Sequence, residues 1–115
     1  MSKNTGFSIT SAERYSLALF ELSEENNLLS QIEDQSLSML NLINQSDDFR
    51  NLIKDPTVNQ EDLSEVINKI TEKNKFDVLF KKFLNFLIQK RRFFFVESIL
   101  KTFIETCSRK RGELK

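Results

Sequence analysis

The chain has 115 residues, 39% of them apolar and 30% charged, and its formal net charge is zero. This suits one globular domain with one core and gives no overall charge bias of the kind that marks a nucleic-acid binder. There is no histidine, and Cys107 is the single cysteine, so the chain has no internal disulfide, no histidine-based acid–base chemistry and almost no means of building a zinc site.

Two glycines and one proline are too few to punctuate strands and hairpins, which favours an all-α chain. The N-terminus, MSKNTGFSIT, has neither an apolar signal core nor an Arg-rich transit pattern, and no apolar run is long enough to cross a bilayer. The expectation is a cytoplasmic protein without direct membrane insertion. Charge is unevenly spread: residues 1–65 hold four bases against twelve acids, whereas residues 66–115 hold thirteen bases against five. Packing of the two halves would cancel part of this, and a basic binding surface is the rival explanation.

Taken in order, residues 1–9 read as a flexible polar lead-in. Thr10 and Glu13 form a Thr-x-x-Glu capping box that predicts the start of a first helix, SAERYSLALFELSEEN. Its face carries Ala12, Tyr15, Ala18, Leu19 and Leu22, while Leu17 and Phe20 make it apolar over more than one contact width. Asn26-Asn27 is a plausible break. A second helix runs from Leu28 to about Gln45, with Leu29, Ile32, Ser36, Met39 and Ile43 in phase. Ser46 and Asp47 are caps for a short third helix that must end before Pro56. Asn59 caps a fourth, with Leu63, Val66, Ile67 and Ile70 as its buried stripe.

The stretch from Asn74 to Glu105 holds eight of the eleven phenylalanines. In its first half Phe76, Phe80, Phe83 and Leu87 form a central helical stripe, widened by Leu84 and Ile88 on one flank and by Leu79 and Phe86 on the other. Lys81, Lys82, Asn85 and Gln89 are left as a polar strip. Such a fifth helix is either central in a bundle or keeps one flank for a partner. Gln89-Lys90-Arg91-Arg92 reads as a turn. A sixth helix carries Phe95, Ile99, Phe103 and Cys107, and ends in Arg109, Lys110 and Arg111 ahead of Gly112 as its C′ residue. The fold class is an all-α, compact six-helix bundle over residues 10–112, with 113–115 as the onset of a linker.

Enzyme signals are weak. Glu24-Glu25 and Asp47-Asp48 are helix neighbours pointing about 100° apart and share no site. With Gly6 and Gly112 as the only glycines, there is no phosphate loop. Cys107 has no histidine to activate it. The chain reads as a binding module with no cofactor, no metal and no catalytic residue.

Two binding surfaces compete. One is basic and aromatic, with Lys81, Lys82, Lys90, Arg91 and Arg92 followed by Phe93, Phe94 and Phe95, in the style of an RNA-binding bundle. Helical core spacing of the phenylalanines and zero net charge argue against it. The other is a groove between helices one and five. Ala18 lies between Tyr15 and Leu22, with Leu79 and Phe86 opposite and Lys82 and Lys90 at the rim, an arrangement suited to an amphipathic helix. Periodicity alone favours the plainer alternative, in which these residues pack on one another inside the bundle.

At RYSLALFELSEEN the sequence resembles the delta subunit of bacterial F-type ATP synthases, the family of the mitochondrial oligomycin-sensitivity-conferring protein. Arg14 to Ser23 follows R-Y-A-x-A-L-F-E-L-A, with Ser16 and Ser23 in place of alanines. FRNLIKDPTVNQED is similar to the family's stretch ending in proline before its fourth helix. KFLNFLIQKRRF resembles N-F-L-x-L-L-x-E-N-x-R-L, with Lys82 for the Asn, Gln89-Lys90 for Glu-Asn, and Arg92 kept.

The resemblance spans about Thr10 to Gly112 and implies a six-helix N-terminal domain on top of the synthase's catalytic head. It implies a non-catalytic stator role, with the N-terminal helix of an alpha subunit held between helices one and five. Tyr15, Ala18, Lys82 and Phe86 match positions associated with that contact, and Leu22 and Leu79 join them by geometry. A second domain, absent after Lys115, would meet the b subunit of the peripheral stalk, so the chain is expected to be a piece of a longer protein. It would then be peripheral to the bacterial inner membrane through the complex, with no nucleic-acid partner.

Overall fold

The computed structural model describes residues 3–113. Six α-helices follow one another: α1 (Lys3–Glu25), α2 (Leu29–Gln45), α3 (Asp47–Lys54), α4 (Gln60–Lys73), α5 (Val78–Gln89) and α6 (Val96–Glu113), with a 3-10 turn, Phe93–Phe95, ahead of the last. The fold class is the all-α bundle that the scarcity of glycine and proline predicts.

Two sequence-predicted caps are in place. Ser46 Oγ accepts from Phe49 N (3.1 Å) at the start of α3, and the Asn59 side chain accepts from Asp62 N (2.8 Å) at the start of α4. Asp77 caps α5 by accepting from Leu79 N (2.8 Å), and Gln35 Oε1 on α2 accepts from Asp77 N (2.9 Å), which ties the start of α5 to α2.

Four sequence expectations are corrected. The first helix starts at Lys3, so Thr10 and Glu13 lie within it, and the part of the expected 1–9 lead-in that is described is helical. Extending a formed helix fixes one residue per hydrogen bond gained, and Gly6 is the residue there with the lowest helix propensity. Phe76 precedes α5 and packs edge-on against Phe80, ring centroids 5.3 Å apart, from the loop. Phe95 belongs to the 3-10 turn and not to α6. Finally, α6 continues through Gly112 to Glu113, so Gly112 is an interior helical residue and no C′ glycine. Glu113 of the expected linker therefore closes α6, and residues 114–115 lie outside the described residues.

Three helix ends share one geometry. Asn27, Lys75 and Arg91 have φ of 57°, 56° and 58°, each the first residue after a C-cap. Leu28 N to Ser23 O (2.8 Å), Phe76 N to Thr71 O (2.9 Å) and Arg92 N to Leu87 O (2.9 Å) close the six-residue bonds of Schellman motifs. Leu28 and Phe76, which donate two of these bonds, are partly buried and pack against the core.

The core runs along α6, where Val96, Ile99, Leu100, Phe103 and Cys107 are buried, and takes in Leu19, Ile32, Met39, Ile67, Phe80 and Leu87. Of the two residues that widen the apolar face of α1, Phe20 is buried, whereas Leu17 is exposed. Of the two serines at family alanine positions, Ser16 Oγ donates to Glu13 O (3.0 Å), while the buried Ser23 hydroxyl has no partner, nor has that of Ser36.

The arrangement around α5 sets up the site. Along one flank α4 covers it through a polar seam. Asn85 Nδ2 donates to Asn68 Oδ1 (2.9 Å) and Lys81 O (2.9 Å), Ser64 Oγ donates to Asn85 Oδ1, and Gln60 Nε2 donates to Ile88 O (2.9 Å). Asn85, part of the polar strip read from sequence, is thus half-buried. On the opposite flank α1 packs along α6 and touches α5 only sparsely. The apolar width of α1 and α5 is left uncovered between them.

Candidate partner-binding groove

The open space between α1 and α5 is a groove of about 650 Å³. Ala18, Leu22 and Asn26 form the α1 wall; Val78, Leu79, Lys82, Phe83 and Phe86 form the α5 wall; Leu28 and Asp77 close one end. Five of the six residues singled out from sequence therefore line one groove: Ala18, Leu22, Leu79, Lys82 and Phe86. The sixth, Tyr15, bounds it, its ring 6.0 Å from that of Phe86 at 60°. Lys90 Nζ stands 5.6 Å from the centroid of the Phe86 ring, so the pair of rings ends against a cation.

Helical periodicity explains who faces the groove. On α1 positions 15, 18, 22 and 26 form one stripe at i+3/i+4 steps, beside the Leu19 stripe that enters the core. On α5 positions 79, 82, 86 and 90 do the same beside Phe83 and Leu87. Exposure separates the two stripes. Phe83 is 4% exposed and Phe86 40%, and Leu22 is 43% exposed. Ala18 is half-buried, its small side chain leaving the α1 wall low enough for another backbone to come close. Sequence reading missed Val78, 62% exposed at the groove's edge. Its signal was the wide apolar spread of α5, but its place depends on where Asp77 starts the helix.

Little in the groove suits a reaction. Its lining is mainly apolar, with Asp77 engaged in capping and Lys82 exposed. Elsewhere, burial is the main reason the Cys107 thiol is pushed up to about 11, with the nearby Glu33 charge adding and Arg111 opposing. A thiol so held stays protonated and unreactive at neutral pH. Among the described residues no cluster of three His, Cys, Asp or Glu side chains is placed to hold a metal ion, and no helix is long and apolar enough to cross a membrane.

The rival basic and aromatic surface keeps Lys82, Lys90, Arg91 and Arg92 exposed but loses most of its aromatic faces. Phe93 is buried, Phe95 is half-buried with its ring 4.1 Å from that of Phe94, and Lys81 pairs with Glu72 (3.6 Å). Only Phe94 of the three presents an open face, too little for a row of stacked bases.

The fold is a six-helix bundle with an apolar groove left open between α1 and α5. The chain belongs to the family of ATP synthase delta (OSCP) subunits, whose sequence profile matches residues 12–115. It is 62% identical over 115 residues to the ATP synthase subunit delta of Pelagibacter ubique (strain HTCC1062), spanning 100% of this chain and 62% of that protein. The ATP synthase subunit delta of Rhodospirillum rubrum is 31% identical over 103 residues, 90% of this chain and 55% of the relative. That of Gloeothece citriformis (strain PCC 7424) is 29% identical over 102 residues, again 55% of the relative. The chain thus spans 55–62% of the length of these relatives.

Proposed function

We propose that the chain is a non-catalytic stator part of an F-type ATP synthase, and that its α1–α5 groove seats the N-terminal helix of an alpha subunit. The observation that carries this reading is the gathering of Ala18, Leu22, Leu79, Lys82 and Phe86 around one open apolar groove in a delta-family chain. A stator resists torque, so it needs a rigid support and a slowly dissociating grip. Burial of an apolar helix face in a preformed groove suits that need, since differences in affinity reside mostly in the off-rate. The remainder of the longer relatives is the part through which a peripheral-stalk b subunit would be met, which would hold the chain at the membrane surface through the complex. The test is a calorimetric titration with an alpha-subunit N-terminal peptide, and with a short RNA, at low and moderate salt. Peptide binding that changes little with salt supports the reading; RNA binding that collapses with salt, without peptide binding, would overturn it.

A further inference from the structure

A second cavity, of about 380 Å³, lies where the α3–α4 turn meets the α5–α6 turn, with Pro56, Leu63, Ile88 and Phe94 among its apolar walls. Its frame is braced, because Gln60 Nε2 at the start of α4 donates to the carbonyls of Ile88 (2.9 Å) and Gln89 (3.3 Å) at the end of α5. Phe94 stands at this cavity 53% exposed, more than the groove's Phe86. The charges at its mouth are unequal in kind. Lys54 and Arg91 are exposed lining residues, and neither enters an ion pair among the described residues. The one carboxylate there, Asp55, is turned onto its own loop, where Oδ1 accepts from Thr57 N (2.9 Å) and Thr57 Oγ1 (2.7 Å).

We propose that this cavity is a docking site for an acidic amphipathic protein segment, which inserts an apolar side chain beside Phe94 and sets its carboxylates against Lys54 and Arg91. An apolar centre ringed by charge is the anatomy of a protein–protein hot spot. Concavity favours an inserted side chain over a membrane surface, and Phe94 is the one exposed aromatic that lines the cavity, too little for stacked bases. The site is separate from the α1–α5 groove, shares no lining residue with it, and does not depend on what the groove binds.

The test places the photo-crosslinking residue benzoylphenylalanine at position 94 of the full-length protein, assembled into purified ATP synthase, with adducts mapped by peptide sequencing. A parallel crosslinker at Val78 reports on the groove, so the two sites succeed or fail separately. The expected result is an adduct at position 94 with an acidic, apolar-faced segment of another subunit. Lys54→Glu and Arg91→Gly should each reduce its yield on the order of 2- to 5-fold while leaving the Val78 adduct unchanged. Arg91→Gly removes a cation at a positive φ that glycine adopts freely, so loss of folding is not expected there. No adduct at position 94, or one with lipid, a nucleic acid, a basic segment, a second copy of this chain or another segment of the same chain, overturns the proposal.

Discussion

Tyr15 on α1 and Phe86 on α5 meet across one end of the groove, ring centroids 6.0 Å apart at 60°, so two helices that otherwise scarcely touch are bridged by one aromatic pair. The contact helps hold the groove open at a set width while leaving Phe86 40% exposed.

That exposure separates two phenylalanines three residues apart. Phe83→Ala should cost about 3–5 kcal/mol of stability, because a buried ring leaves a cavity as well as its transfer energy. Phe86→Ala removes a ring that is 40% exposed and should cost roughly 2 kcal/mol, including the lost aromatic pair. Urea melts of the two variants measure the difference. Equal losses would make Phe86 ordinary core.

The helix ends at Lys75 and Arg91 hold strain that glycine would relieve. A left-handed conformation costs a residue with a Cβ about 1–2 kcal/mol, and the greater unfolded-state freedom of glycine returns part of that. Lys75→Gly and Arg91→Gly should each stabilise the domain by about 0.5–1 kcal/mol, read as a raised urea midpoint with unchanged slope. Asn27→Gly should gain less, since asparagine tolerates this region.

Cys107 gives the domain an alkaline dependence. Its thiol is raised from 9.0 in the unfolded reference to about 11 in the fold, chiefly by burial. The folded state therefore keeps a proton that the unfolded chain loses. This contribution is intact below pH 9 and is lost as pH rises towards 11, at up to about 1.4 kcal/mol per pH unit. Cys107→Ala should flatten the slope of stability against pH in that window, whatever its effect at pH 7. Glu33→Gln removes a charge that raises the thiol, so it should bring the Cys107 titration down.

The parts of this fold that sequence could disclose were those set by local physics. Ser46 and Asn59 read as caps because their side chains reach backbone donors two or three residues on, wherever the rest of the chain lies. The excess apolar width of α1 and α5 was legible too, but periodicity favoured packing of Ala18, Leu22, Leu79 and Phe86 on one another, and only the family resemblance pointed to a groove. What sequence left open depended on the neighbours. Asn85 reads only as part of a polar strip until α4 brings Asn68 and Ser64 to it. Lys75 and Arg91 carry no glycine signal, since packing after the turn imposes their conformation. Phe86 and Phe83 are equally apolar, and only the sparse contact between α1 and α5 leaves one of them wet. The charge asymmetry of the two halves is hardly used for internal pairing: among the described residues Arg111 to Glu33, at 2.6 Å, is the one ion pair that crosses it.

Ala18 is the position at which the groove reading is most exposed to failure. Ala18→Asp should leave helix content nearly intact and abolish binding of the alpha-subunit peptide. In the free domain the residue is half-buried on an open wall, so a carboxylate there can stay hydrated. The poorer helix propensity of aspartate costs less than about 1 kcal/mol. When a helix docks, that carboxylate is driven into an apolar contact, and an unpaired buried charge is costly. Lys82 across the groove is exposed and free to move, so Ala18→Asp combined with Lys82→Ala checks whether any residual binding is rescue by that cation. Circular dichroism and peptide titration on the same samples decide the matter. An unfolded Ala18→Asp would mean that the wall is sealed core, and a folded variant that binds the peptide normally would place the alpha helix elsewhere on the domain.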